Sequence, residues 1–315
     1  MSPRKPRIGI IGSGAIGGFY GLMLARAGFD VHFLLRSEYA VVREQGLKLE
    51  SALHGDVQLA VQAYASAADM PPCDWLLVGA KATSNAELAP LIAKAAAADA
   101  KVVLLQNGLG VEEQLRPALP GSLHLLGGLC FICVNRLSPG VIRHQALGAV
   151  NLGYHSGPAE DGGAAIVEEG AALLRAAGVD SQAMDNLGQA RWQKLVWNVP
   201  YNGLSVLLGA STTPLMADSD TRELIQALMA EVVQGAAACG HALPAGYADH
   251  LFRVTEQMPD YWPSMYHDHA GQRPLELQAI YAEPLARARA AGCSLPRMQM
   301  LYQALAFIDR ANRAG

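Results

Sequence analysis

Little in this chain of 315 residues advertises a charged partner. The net charge is −4, charged residues make up only 17%, and no basic cluster follows the short "PRKPR" at residues 3–7. A nucleic-acid binder needs a patch of lysine and arginine to displace counterions, so that class is excluded. Aromatic residues are equally sparse at 6%, too few for a sandwich of aromatic-rich strands. The five cysteines are an odd number with no repeating spacing; they build no disulfide framework and fit a reducing compartment. Cys130 and Cys133 form a lone C-x-x-C in a β-favouring stretch, where three residues' separation would put them on opposite faces of a strand. A metal or redox centre is not expected there. Long apolar runs are missing too. "LHLLGGLCFICV" is too short to span a bilayer and is interrupted by glycine. The N-terminal stretch imitates a secretion signal, but six glycines in "GIIGSGAIGGFYG" would weaken such a helix. The expectation is a cytoplasmic protein with neither a nucleic-acid nor a membrane partner.

What is present is apolar and small. Hydrophobic residues reach 51% and glycine alone counts 32, which excludes a disordered chain. The length favours two domains. "RIGIIG", "DVHFLLR", "DWLLVGAK" and "KVVLLQN" read as buried strands. Helical spacing separates them in "GAIGGFYGLMLARAGF" and in the Ala-rich "NAELAPLIAKAAAAD". Continuous apolar strands alternating with helices predict a parallel sheet covered on both faces. Residues 123–154 read as short β segments. Beyond residue 186 only helix-period segments remain. The fold class expected is α/β, Rossmann-like over residues 1–185 with a mainly parallel sheet, followed by an all-α domain over 186–315.

The glycines have a purpose. Gly12, Gly14 and Gly17 spell G-x-G-x-x-G between a strand and a helix. The first permits a tight turn, the second lets backbone N–H groups approach a pyrophosphate, and the third allows close helix–strand packing. Ser13, Ala15 and Ile16 complete the turn, and the helix N-terminus favours an anion. The second strand ends in Leu35-Arg36 rather than in a carboxylate. A cation there suits the 2′-phosphate of NADP; Glu38 is the alternative that would serve NAD.

The helix around residue 194 carries a polar stripe. At 100° per residue, Asn198 lies about 40° and Asn202 about 80° from Lys194, while Trp192, Leu195, Val196 and Val199 fall between about 100° and 200°. Asparagine is a mediocre helix former, so two on one stripe argue against a merely solvated face. Pro200 would free the carbonyl of Val196 and bend the axis. Glu276 reads as first-turn, after Pro274 at N1, and Ser264 and Asp268 as parts of an irregular loop. His267 and His269 lack a third ligand, and no metal is expected. Lys81 and Asn107 sit at strand ends, on the edge where α/β sheets bind ligands.

These motifs together resemble the ketopantoate reductase (2-dehydropantoate 2-reductase) family. "LLR", "GAK", "QNGLG", "RWQKLVWNVPYN" and "PSMYHD…LE" follow the glycine turn in the family's order across nearly the whole chain. The resemblance implies an active site in the cleft between the two domains. It implies Lys194 as the catalytic lysine and Glu276 as the carboxylate facing it. Lys81 and Asn107 would lie between nicotinamide and substrate, and Asn198, Asn202 and Ser264 would hold the substrate's carboxylate and hydroxyl groups. Arg36 would bind the 2′-phosphate. The activity implied is NADPH-dependent reduction of ketopantoate to pantoate, for pantothenate synthesis. Alternatives are a paralogue acting on another small 2-oxo acid and a non-catalytic NADP-binding regulator. The helical half could supply a homodimer surface. Pro214 stands where many relatives have an acidic residue, Thr212 where another branch has asparagine, and "WPSMYHDHAG" is bulkier than the usual loop.

Overall fold

The computed structural model describes residues 5–314; residues 3 and 4 of the basic run lie outside them. Ten strands follow in chain order: β1 Arg7–Ile11, β2 Asp30–Leu34, β3 Leu47–Ser51, β4 Val57–Leu59, β5 Gln62–Tyr64, β6 Cys73–Val78, β7 Ala96–Leu104, β8 His124–Ser138, β9 Val141–Ser156 and β10 Ala183–Met184. They form one sheet in the order β4-β3-β9-β8-β7-β6-β1-β2-β5, with β10 beside β9. Pairing is parallel except for β3 with β4 and β8 with β9. Among the strands run α1 Ala15–Arg26, α2 Tyr39–Gln45, α3 Asn85–Ala95, α4 Val111–Leu115 and α5 Ala164–Ala176. The rest is helical: α6 Leu187–Leu208, α7 Thr212–Ala217, α8 Ser219–Ala238, α9 Tyr247–Glu256, α10 Ser264–Ala270, α11 Glu283–Ala290 and α12 Pro296–Ala314. This is a Rossmann-like α/β fold followed by an all-α region.

The described residues divide into two compact units. One holds the chain through Gln106 together with Val111–Leu187, and the other holds Asn107–Gly110 with everything from Gly188 on. Each has its own core. In the first, Ile8 and Ile10 of β1, Phe19 and Leu22 of α1, Phe33 of β2 and Trp75 of β6 are sealed together. In the second, Trp192, Leu195, Val196 and Val199 of α6 pack with Ile225 and Met229 of α8 and with Tyr281. Each such side chain contributes about 1.5–3 kcal/mol when fully buried.

Several local expectations are corrected. The Ala-rich helix stops at Ala95, and Ala96–Leu104 is strand β7, with Ala96 paired to Cys73 of β6. The short segments of residues 123–154 are two long strands. Leu147 at φ 65° and Gly148 at φ 136° absorb an irregularity in β9 without ending it. β3, β4 and β5 occupy a stretch that carries no clear pattern. Cys130 and Cys133 are both buried and form no disulfide, and burial pushes the Cys133 thiol up to about 11, so it is inert as a nucleophile.

Candidate active site

The chain runs from β1 to β2 on one side of the sheet and later places β6 on the other side of β1. The crevice outside β1 and β6 is therefore a topological switch point, where such sheets bind ligands. The glycine turn lies there. Gly12 adopts φ +86°, and a Cβ on it would come within 2.5 Å of Ala80 N. A Cβ on Gly17 would sit 2.1 Å from the carbonyl oxygen of Gly12. Gly14 is the contrast: a Cβ there would meet nothing within 4 Å. Gly14 also caps α1 without any side-chain hydrogen bond, and the helix's bonding starts with Gly18 N donating to Gly14 O at 2.9 Å. Ala15, Ile16 and Gly17 therefore carry first-turn N–H groups outside the helical ladder, with open space beside Gly14 and Ser13 buried next to it. A phosphate fits that arrangement.

The two candidates beyond β2 differ sharply. Arg36 is exposed and only loosely paired with Glu87 at 3.5 Å, both side chains more than 70% accessible. Glu38 is 6% exposed; its carboxylate pairs with Arg136 and accepts from Gly140 N at 2.9 Å. Glu38 therefore points its charge into the β8–β9 connection and stabilises the fold there. Lys81, half-buried, follows β6 and caps a short 3₁₀ turn at Ala82–Ser84. Sequence reasoning missed the support behind it. Gln106, 3% exposed, donates to Ala80 O at 2.9 Å and to Asn85 Oδ1 at 2.7 Å. Only the tertiary pairing of β6 with β7 brings Gln106 to Ala80, and nothing local signals it.

The second unit gathers most of the remaining candidates. α6 runs unbroken through Pro200. Lys194 is half-buried, whereas Asn198 and Asn202 are 6% and 2% exposed. Asn202 Oδ1 accepts from Met265 N at 3.2 Å and from Ser264 Oγ at 3.5 Å, which ties the start of α10 to the stripe. Asn198 Nδ2 is buried and has no hydrogen-bond partner among the described residues. Ser264 opens α10 rather than lying in an irregular loop, and Asp268 is locked by Arg273 Nε at 3.1 Å. His269 Nδ1 lies 3.0 Å from Asn312 Nδ2. Among the described residues no group of three or more His, Cys, Asp or Glu could hold a metal.

Glu276 is 5% exposed and stands one residue before the helical segment, not in its first turn. Its carbonyl accepts from Ile280 N at 3.1 Å, and residues Gln278–Ala282 form a π-helical turn. That turn has a visible use: the carbonyl of Ala279 accepts from Leu109 N at 2.8 Å. Gly108, at φ +90°, comes so close that a Cβ would lie 2.4 Å from the same carbonyl. The Asn107–Gly110 segment is thereby built into the helical unit, carrying half-buried Asn107 with it.

A glycine turn at the switch point of a Rossmann-like sheet, followed by a helical unit with a polar stripe, is the arrangement of the Rossmann-type dinucleotide-binding proteins. Comparison narrows the class. The family model "Ketopantoate reductase PanE/ApbA" matches residues 8–157, and its C-terminal counterpart matches residues 186–309. A 2-dehydropantoate 2-reductase of Nostoc sp. is 43% identical over 100% of this chain and 98% of its own length. The crystal structure of a 2-dehydropantoate 2-reductase from Geobacter metallireducens superposes with a TM-score of 0.89 at 39% identity, covering 96% of this chain and 99% of that one. That from Methylococcus capsulatus gives 0.85 at 33% identity, with 98% of both chains covered. The chain belongs to the ketopantoate reductase family and is an oxidoreductase. Among the described residues no helix is long and apolar enough to cross a membrane.

Proposed function

We propose that this protein reduces 2-dehydropantoate (ketopantoate) to pantoate with NADPH, in pantothenate synthesis, using the N-terminal domain of residues 1–185 for the cofactor and the helical domain of 186–315 for the substrate. The observation that carries the reading is the buried Nδ2 of Asn198, a donor with no partner among the described residues. Leaving such a donor unsatisfied costs about 1–3 kcal/mol, a cost that makes sense if a ligand oxygen completes it. The names of the full-length relatives supply the identity of that ligand.

The glycine turn would hold the pyrophosphate on the N–H groups of residues 14–17, and Arg36 would meet the 2′-phosphate. An exposed ion pair such as Arg36–Glu87 is worth at most about 1 kcal/mol, so Arg36 is readily recruited. Glu38 is committed to Arg136 and Gly140, which weakens the NAD alternative. When bound, the nicotinamide would supply a hydride to the C2 carbonyl carbon. Lys194 would hydrogen-bond the carbonyl oxygen as negative charge grows on it and deliver the proton. Glu276 would keep the ammonium charged and oriented, since a desolvated ammonium without a counter-charge tends to lose its proton. Asn198, Asn202 and Ser264 would fix the acid's carboxylate and hydroxyl without adding a competing charge, and Lys81 and Asn107 would contact the nicotinamide and the substrate. The test is NADPH oxidation followed with ketopantoate and a panel of other 2-oxo acids. Tight NADPH binding without turnover of any of them would favour a regulator, and turnover of another acid alone would favour a paralogue.

A further inference from the structure

The connection between α9 and α10 places Asp260, Tyr261 and Trp262 ahead of Pro263 and Ser264, and it is pinned to the start of α7. Asp260 accepts from Ser211 Oγ and from Thr213 N, both at 2.9 Å, and from Thr212 Oγ1 at 3.5 Å. Thr212, only 3% exposed, accepts from Tyr261 N at 2.9 Å and gives its own N–H to Tyr261 O at 3.0 Å. Burial alone would raise the Asp260 pKa, but the hydrogen bonds from Thr213 and Ser211 outweigh it and hold the carboxyl below its usual value.

This clamp immobilises an aromatic pair. The Trp262 ring stacks on Tyr266 with centroids 3.8 Å apart and planes 28° from parallel. Ser264 lies midway between them in sequence, and Ser264 Oγ and Met265 N are the groups that meet Asn202 on the polar stripe. Trp192, Tyr201 and Tyr281 are sealed in the core, whereas Trp262 and Tyr266 stay partly exposed. A stacked pair left half in solvent adds less to stability than the same rings would in the core. Flanking Ser264 in the chain and next to the clamped Asp260–Tyr261 segment, it is a preorganised apolar surface.

Resting on the oxo-acid reading of the stripe, we propose that the Trp262–Tyr266 stack is specificity-determining: it is the wall against the carbon substituent beyond C2 of the 2-oxo acid, and Asp260 with Thr212 positions it. The polar end of a 2-oxo acid needs the stripe's donors, and the rest of the molecule needs apolar surface. Two flat rings held rigidly set how wide that surface is, favouring a compact branched chain over an aryl group.

The test compares kcat/KM for ketopantoate and phenylglyoxylate in wild type, Trp262→Ala, Trp262→Phe and Asp260→Asn, with NADPH affinity read separately by fluorescence. In Trp262→Ala the phenylglyoxylate-to-ketopantoate ratio should rise at least about tenfold, the scale at which a pocket discriminates by shape. Trp262→Phe should restore most of the wild-type ratio. Asp260→Asn should raise KM for ketopantoate more than it lowers kcat. An unchanged ratio in Trp262→Ala, or loss of NADPH affinity in parallel with both substrates, overturns the proposal. Tyr266→Leu leaves the indole but removes its support and should move the ratio the same way; no movement there counts equally against it. A wild type that binds NADPH yet reduces no 2-oxo acid would overturn the underlying reading and the wall with it, whereas a wild type that turns over with an unmoved ratio overturns the wall alone.

Discussion

Replacing Asn198 by alanine should separate stability from activity, with opposite signs. The side chain is 6% exposed and its Nδ2 has no partner among the described residues, so the free protein carries an unsatisfied donor worth about 1–3 kcal/mol against folding. The substitution removes only the carboxamide and keeps Cβ, so little apolar area is lost. Stability of the ligand-free protein should hold or rise, by up to a few degrees in Tm at about 1.5 °C per kcal/mol, from an unfolding entropy of about 2.1 cal/mol/K per residue. Activity should move the other way. A hydrogen bond to a charged ligand group is worth about 1.5–3 kcal/mol, which at about 1.4 kcal/mol per tenfold predicts a 10- to 150-fold loss in kcat/KM for the oxo acid. Calorimetry of the apo protein and steady-state kinetics with saturating NADPH measure the two sides. A Tm several degrees lower with kcat/KM unchanged would refute the reasoning, because Asn198 would then be a structural residue.

Lys194→Ala should cripple turnover while leaving NADPH binding, followed by fluorescence, largely intact; parallel loss of both would mean that the residue shapes the cofactor site instead. Arg36→Ala should erode the preference for NADPH over NADH by weakening NADPH alone, and unaltered discrimination would remove Arg36 from the site. The glycines should behave differently from one another: Gly17→Ala forces a Cβ to 2.1 Å from Gly12 O and should disrupt the turn, whereas Gly14→Ala meets nothing within 4 Å and should leave thermal stability intact while weakening cofactor binding. A Gly14→Ala protein that binds normally would place the phosphate elsewhere. Burial lowers His32, His54, His124 and His144 below the ordinary value of 6.5. Their neutral forms favour the fold, so that contribution is complete above about pH 6.5 and is lost as pH falls through the depressed values. Melting curves from pH 7.5 to 5 should show this fall, and His144→Gln should reduce it.

The parts legible from sequence were those whose cause is local. The glycine turn announces itself because Gly12 and Gly17 answer to contacts made within one strand–turn–helix unit. α6 announces itself because a period of 3.6 separates its apolar and polar faces whatever packs on them. The misread parts answer to distant partners. Ala96–Asp99 continues an alanine run with high intrinsic helix propensity, and only pairing of Ala96 with Cys73 converts it to strand. Glu38 looks like an exposed acid after a strand until β8 and β9 bring Arg136 and Gly140 to it.

The π-helical turn after Glu276 is the most instructive of these. A proline two residues before a glutamate suggests a regular first turn, and regularity would give the Ala279 carbonyl to a helical neighbour four residues on. Instead it accepts from Leu109 N, on a segment that leaves strand β7 and packs in the helical unit. A π turn sets carbonyls out of the α-helical ladder, and such turns recur at functional sites. Here the diverted carbonyl is where the Asn107 segment docks, and the close approach requires glycine at 108. Gly108→Ala should therefore displace Asn107 without touching the glycine turn of β1. Turnover should fall while NADPH binding changes much less, and equal losses in the two would show that this docking serves the fold rather than the reacting groups.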